Sequence, residues 1–309
     1  MNYGTGSVQV QTLARSGYDW ILTGSIENAM QEQAGIPVPL GAFKVPVQRI
    51  LGRNPGPMTG PGTNSYLVGD EALSLIDPGP INLEQMDSFL AALGGRRLHY
   101  IFCTHTHGDH SPAAVPLAEK TGASLVGLKA PDAMGQDHSF APSRQWRHGD
   151  IVELGDYSLQ CIHTPGHVSN HFCYLLREEG LLFTGDHVLQ GTTPVILPPD
   201  GDMADYFASL KLVQSLGVKF LAPGHGGLMD NPDQEIEQLL QHRLKREAKI
   251  LAGLQQLQQS TLDELVMVVY DDVAQHLIPW AKRTLLAHLL KLEKEGRAQQ
   301  SAEQWCSLP

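Results

Sequence analysis

The run Cys103-Thr104-His105-Thr106-His107-Gly108-Asp109-His110 constrains this chain more than any other feature. It follows directly on Leu98 to Cys103, an apolar-rich stretch that reads as a strand. Residues two apart in an extended chain point the same way, so His105 and His107 can chelate one cation. Gly108 lets the backbone turn, after which Asp109 and His110 can present an oxygen and a nitrogen to a second cation close by. Imidazole plus carboxylate ligands suit zinc, with iron or manganese as alternatives.

Three later groups occupy the same kind of place. His167 in Thr164-Pro165-Gly166-His167, Asp186 in Thr184-Gly185-Asp186 and His225 in Pro223-Gly224-His225-Gly226 each follow a short apolar run through a glycine-containing turn. Any one of these turns is common; the ordered series is not. Strand ends on a rigid sheet are where binding groups are expected, so one sheet edge can gather all seven residues. Two divalent cations about 3.5–4 Å apart can share a hydroxide, because metal binding lowers water's pKa from about 15.7 towards about 7. Asp186, with two carboxylate oxygens, is the natural bridge, and Asp109 and Asp186 are the expected catalytic carboxylates. No GxSxG motif offers a covalent serine route.

The surrounding pattern indicates an α/β domain. Short apolar runs form hairpins at Ser65–Val68/Leu73–Ile76, Ile151–Leu154/Tyr157–Ile162 and Phe172–Leu176/Leu181–Thr184. Amphipathic helices are expected after Asn82, after Ser111-Pro112 as far as Gly122, and after Asp202. Residues 46–235 read as a catalytic domain, 236–309 as a small helical unit of all-α or winged-helix type, and 1–45 as a segment of unclear role. Thr261 and Glu264 make a capping box within the helical unit. No stretch reaches 18 apolar residues, the first 20 residues have no signal- or transit-peptide character, and the four cysteines lack CxxC spacing. A cytoplasmic protein with buried free thiols and no membrane contact is expected.

These motifs resemble the metallo-β-lactamase superfamily from about Gly60 to His225. The resemblance implies a four-layer αβ/βα sandwich with two zinc ions at one sheet edge. It implies that His105, His107 and His167 hold the first metal, that Asp109, His110 and His225 hold the second, and that Asp186 bridges. Asp77, in Leu75-Ile76-Asp77-Pro78-Gly79, matches a position that usually supports a ligand from behind. Gly62–Gly69, His242-Arg243 with Arg246-Glu247, and Leu289–Gly296 look most like the two-domain branch with a winged-helix tail. One member of that branch is a mitochondrial single-strand endoribonuclease. True β-lactamases are a poor match, since no cysteine replaces the acidic ligands.

The resemblance therefore leans towards single-stranded RNA as substrate, with a small ester or thioester, as in hydroxyacylglutathione hydrolases, as the alternative. A metal-stabilised binding protein is a third reading, disfavoured by the complete ligand set. Charge argues the other way from RNA. The chain holds 22 basic and 33 acidic residues, and residues 241–309 hold nine and eight of these, which leaves a net of −12 elsewhere. A protein that grips phosphates normally shows a basic stripe. The only local candidate is Arg243, Lys245, Arg246 and Lys249, which do not share one helix face; Arg243 and Arg246 could instead brace the domain junction. Asn64 and His171 are the expected substrate contacts, His187 could be a proton donor or support a ligand, and Tyr206 is expected in the core. His138 could line the cleft mouth, and a homo-oligomer is left open.

Overall fold

The computed structural model describes residues 33–308. Residues 1–32, most of the N-terminal segment, lie outside the described residues. One sheet contains, in spatial and chain order, β1 (Pro37–Pro39), β2 (Val47–Leu51), β3 (Asn64–Val68), β4 (Leu73–Ile76), β5 (Leu98–Phe102) and β6 (Ser124–Val126). Pairing is antiparallel from β1 to β4 and parallel from β4 to β6. The crossovers between the parallel strands carry α1 (Leu83–Leu93) and α2 (Ala114–Thr121). The second sheet has the order β11 (Phe220–Pro223), β10 (Leu181–Gly185), β9 (Phe172–Leu176), β8 (Tyr157–His163) and β7 (Ile151–Leu154). A helix, α3 (Met203–Ser215), connects β10 to its parallel neighbour β11.

Alternation of side chains along the strands builds the layers. Tyr66 and Val68 on β3 enter the core between the sheets, whereas Leu67 enters the core beneath α1 and α2. Likewise Leu181 and Phe183 on β10 face the inter-sheet core, and Leu182 packs with α3. Met86, Phe89 and Leu93 supply the buried stripe of α1. The result is an α/β fold of helix, sheet, sheet and helix layers. Local chemistry sets the helix ends: the Asn82 side chain accepts from Gln85 N–H, and Asp202 accepts from Ala204 and Asp205 N–H. Helix α2 begins at Ala114 rather than at Ser111-Pro112. Ser111 N–H and His110 N–H both donate to the His107 carbonyl, so these residues close the preceding turn instead.

Three more helices follow: α4 (Pro232–Leu257), α5 (Leu262–Val269) and α6 (Ile278–Lys294). The capping box of Thr261 and Glu264 forms at the start of α5. Two strands not evident in the sequence, β12 (Ala298–Ser301) and β13 (Gln304–Ser307), pair antiparallel as a wing. The 235/236 division falls inside α4. Its first half gives Ile236, Leu239 and Leu240 to the α3 core, and its second half gives Ile250 and Leu254 to the core of the winged-helix unit. Residues 37–39 also add an edge strand to the first sheet, and Val45 is buried between the sheets. Cys103, Cys161 and Cys173 are buried free thiols. Among the described residues no helix is long and apolar enough to cross a membrane.

Candidate metal centre

Strand directions bring the chemistry to one edge. Strands β8 and β10 both pair antiparallel with β9, and β11 runs parallel to β10, so the C-terminal ends of β8, β10 and β11 share an edge. Strand β5 delivers the His105 segment to the same place: Phe172 N–H donates to the Thr104 carbonyl, and Tyr174 Oη donates to the Cys103 carbonyl. The loops after these strands carry His167, Asp186, His225 and His105–His110 respectively.

The seven side chains converge. Each of the triples His105/His107/His167, His105/His110/Asp186 and Asp109/His110/His225 has ligand atoms within 4.8 Å of one another. His107 Nδ1 lies 3.0 Å from His105 Nε2 and 3.1 Å from His167 Nε2. Asp186 Oδ1 lies 3.3 Å from His110 Nε2 and 3.5 Å from His225 Nε2, while Oδ2 lies 3.7 Å from His167 Nε2. His225 Nε2 is 3.3 Å from Asp109 Oδ2. One carboxylate of Asp186 thus faces both groups of histidines.

The residues fit divalent cations. Ligand atoms on a tetrahedral ion with bonds of about 2.0–2.1 Å sit about 3.3 Å apart, close to the spacings here. His110 Nε2 and Asp186 Oδ1 are buried with no hydrogen-bond partner, which a cation between them would satisfy. The opposite ring nitrogens are held from behind. His110 Nδ1 meets Asp77 Oδ2 at 2.9 Å, His167 Nδ1 the Val195 carbonyl at 2.6 Å, and His225 Nδ1 the Gly62 carbonyl at 3.3 Å. Each partner can only accept, so Nδ1 carries the proton and Nε2 keeps its lone pair for the cluster. Thr104 Oγ1 gives its proton to Asp77 and therefore accepts from His105 Nδ1, 3.0 Å away.

Electrostatics agree with this arrangement. Burial, followed by the crowding of neighbouring imidazoles, lowers His105, and burial with His167 lowers His107 to about 4. Burial opposes ionisation of Asp109 and Asp186, but His110 and His225 outweigh it and hold both well below the usual carboxylate range, Asp109 at about 2. Without a cation, burial disfavours the protonated form of His110, yet Asp186, Asp109 and Asp77 raise it. A cation would compete with that proton for the same carboxylates. Glycine is required beside them: a Cβ on Gly224 would lie 2.8 Å from Asp186 Oδ1 and 2.8 Å from the His110 ring.

Asp77 lies directly behind the centre. Its backbone has φ +48°, a region that Asp and Asn tolerate, and its carboxylate accepts from Thr104 N–H at 2.7 Å and Thr104 Oγ1 at 2.8 Å as well as from His110. Asp77→Asn would point an amide donor at one of these donors while preserving shape and backbone. Metal affinity, measured by chelator competition, is expected to fall about 10–100-fold. Unchanged affinity would remove Asp77 from the support of His110.

Two expected substrate contacts have other places. Asn64 is buried, and its amide donates to the Pro223 carbonyl at 2.9 Å and the Gly226 carbonyl at 2.8 Å. It ties down the His225 loop. His171 is fully buried behind His105, its ring stacked at 5.2 Å and its Nδ1 2.9 Å from Thr164 Oγ1, so substrate cannot reach it. His187 and Tyr206 are equally buried, and His138 is exposed on the 131–139 loop. The carbonyls of Val195 and Gly62 carry no side-chain signal and could not be read in advance; Thr104, next to His105, could have been suspected.

Residues 58–225 match the model of the metallo-beta-lactamase superfamily. The chain belongs to that superfamily. Residues 261–305 match the beta-lactamase associated winged helix domain, which makes it a member of the two-domain branch. It is 32% identical over 262 residues to a beta-lactamase-like protein 2 homolog of Caenorhabditis elegans, covering 82% of this chain and 84% of that one. It is 35% identical over 221 residues to an atrochrysone carboxyl ACP thioesterase of Aspergillus fumigatus, covering 69% of this chain and 66% of that one. A beta-lactamase domain protein from Burkholderia ambifaria shares the fold, with TM-score 0.76 at 17% identity over 92% of this chain and 96% of that one. The chain is thus a superfamily hydrolase with a His/Asp cluster that could hold metal ions.

Proposed function

We propose that this chain hydrolyses a small acyl thioester or ester with two zinc ions, one held by His105, His107 and His167 and the other by Asp109, His110 and His225, with Asp186 shared. Two such cations, when bound, polarise a carbonyl oxygen and bring the pKa of water from about 15.7 towards about 7. The protein's own part is to keep the ligand atoms aimed. Asp77, Thr104, Val195 and Gly62 fix the imidazole orientations, and the depressed carboxyls of Asp109 and Asp186 stay ionised at neutral pH. A cysteine nucleophile is disfavoured. Burial raises the Cys103 thiol well above its ordinary value and pushes Cys161 and Cys173 up to about 12, while Cys306 sits on the wing.

The observation that carries the substrate class is the fate of the basic cluster. Arg243 is buried and donates to the Pro194 carbonyl. Arg246 donates to the Val269 carbonyl and pairs with Asp272 at 3.0 Å, and Lys249 pairs with Asp271. Arg243 and Arg246 are committed inside the protein and Lys249 is paired at the surface with an exposed Asp271, so this cluster, with Lys245 exposed, offers no stripe for a phosphate backbone. The net charge of −11 points the same way, as does similarity to a protein named as a thioesterase. RNA is accordingly the disfavoured substrate.

The test is elemental analysis run beside a paired assay of acyl thioesters and a labelled single-stranded RNA. Thioester turnover with two zinc per chain and no RNA cleavage is expected. RNA cleavage that disappears in an Asp186 variant, with no thioester turnover, would overturn the substrate assignment.

A further inference from the structure

Helical spacing puts Arg243, Arg246, Glu247 and Ile250 of α4 on its buried side. Burying a guanidinium is costly unless its donors are used, so the partners of Arg243 show what the burial is for. One terminal nitrogen donates to the carbonyl of Pro194, and the guanidinium lies 5.5 Å over the ring of Tyr206. Both contacts lead to the metal centre. Pro194 adjoins Val195, whose carbonyl takes the Nδ1 proton of His167 at 2.6 Å. Tyr206 donates from Oη to the carbonyl of His187, the residue after Asp186, at 3.0 Å. Its backbone also presses on Gly166, the residue before His167, so closely that a Cβ there would lie 2.4 Å from Tyr206 Cα.

We infer that Arg243 is a positioning residue for His167: from the helix shared with the winged-helix unit, it fixes the 194–195 segment whose Val195 carbonyl sets the imidazole's tautomer and direction. The inference rests on the reading that His105, His107 and His167 hold a cation. It gives α4 a task beyond joining two cores, because the C-terminal part of the chain then supports a ligand through the 194–195 segment. Arg246 supplies the internal contrast. It is also a buried arginine on α4, yet its partners Val269, Asp272 and the Tyr270 ring, 4.2 Å away, all belong to the winged-helix unit.

The full-length chain is therefore compared as wild type, Arg243→Met and Arg246→Met, by zinc affinity in chelator competition and by the visible spectrum of the cobalt(II)-loaded protein. Thermal unfolding of the metal-free proteins is followed alongside. Loss of a partner behind a ligating histidine costs about 10–100-fold in affinity, and one further step out the lower figure, about tenfold, is expected for Arg243→Met. Its cobalt spectrum should shift, while Arg246→Met loses stability without changing either readout. Arg243→Lys, compared with Arg246→Lys, gives the same contrast should the methionine variant not fold. Wild-type affinity and spectrum in the Arg243 variants, or an equal loss in the Arg246 variants, would overturn the inference. A wild-type chain that binds no zinc or cobalt would instead sink the reading of the site on which it rests.

Discussion

Replacing Asp186 by asparagine is expected to abolish turnover and to lower bound metal below two ions per chain. The side chain follows β10 and Gly185, a position fixed by the sheet, so the substitution leaves the fold's edge in place. What changes is charge. Oδ1 faces His110 and His225, Oδ2 faces His167, and these imidazoles overcome burial to keep the carboxyl ionised. An asparagine keeps the volume but offers one acceptor and one donor; the donor is repelled by a cation, and where it bonds an Nε2 lone pair it takes the electrons a cation would use. The loss should exceed the roughly 10–100-fold that removal of an outer partner costs. Elemental analysis and initial rates on the same preparation separate the possibilities. Two metals with lost turnover would assign Asp186 to the reaction rather than to retention, and two metals with full turnover would end the shared-carboxylate reading.

The segments that converge at the candidate site were legible because their chemistry is local. Two histidines two apart after a strand, and a polar residue after each glycine turn, declare themselves within a few residues. Helix caps at Asn82, Asp202 and Thr261 were legible for the same reason. Other features depend on partners far along the chain. Asn64 resembles a binding residue in a glycine-rich loop, but its amide is satisfied by Pro223, 159 residues away. His171 looks like a neighbour of His167 and in fact stacks on His105, at the end of the loop that joins β8 to β9. The winged-helix tail was expected from the resemblance, but its two strands could not be placed, because β12 and β13 read AQQS and QWCS, with only Ala298 and Trp305 buried and no alternation to detect. The basic cluster was read correctly as sharing no single face. That its members would be spent on Pro194, Asp272 and Asp271 was fixed by tertiary packing alone.

The second large effect lies at Glu247, one turn beyond Arg243 on the same helix. Its carboxylate is buried between α4 and α6: Oε2 accepts from Lys291 at 2.7 Å, Oε1 from Arg297 at 2.7 Å, and His288 Nδ1 lies 3.8 Å away. Lys291 in turn lies 4.9 Å over the ring of Phe207 on α3, so this acid adds to the apolar packing that holds the winged-helix unit against the catalytic layers. Glu247→Gln leaves Lys291 buried with only the half-exposed Glu295 as counter-charge. Breaking a buried pair by removing one partner costs about 3–5 kcal/mol, and the partial exposure of Arg297 puts the expectation near the lower end, about 3 kcal/mol. The pH dependence has a definite sign. Burial opposes ionisation of Glu247, but His288 and Lys291 outweigh it and bring the carboxyl from 4.5 to about 2. A carboxyl lowered by folding contributes stability that is complete above its unfolded value and is lost as pH falls through its folded one. The gap in urea midpoint between wild type and Glu247→Gln should therefore be constant near neutrality and close between about pH 4.5 and 2. His288, lowered from 6.5 to about 4 chiefly by burial, weakens both chains in acid, so the difference between them is the quantity to follow. A gap that persists unchanged to pH 2 would mean that the shape of Glu247, not its charge, joins the two units.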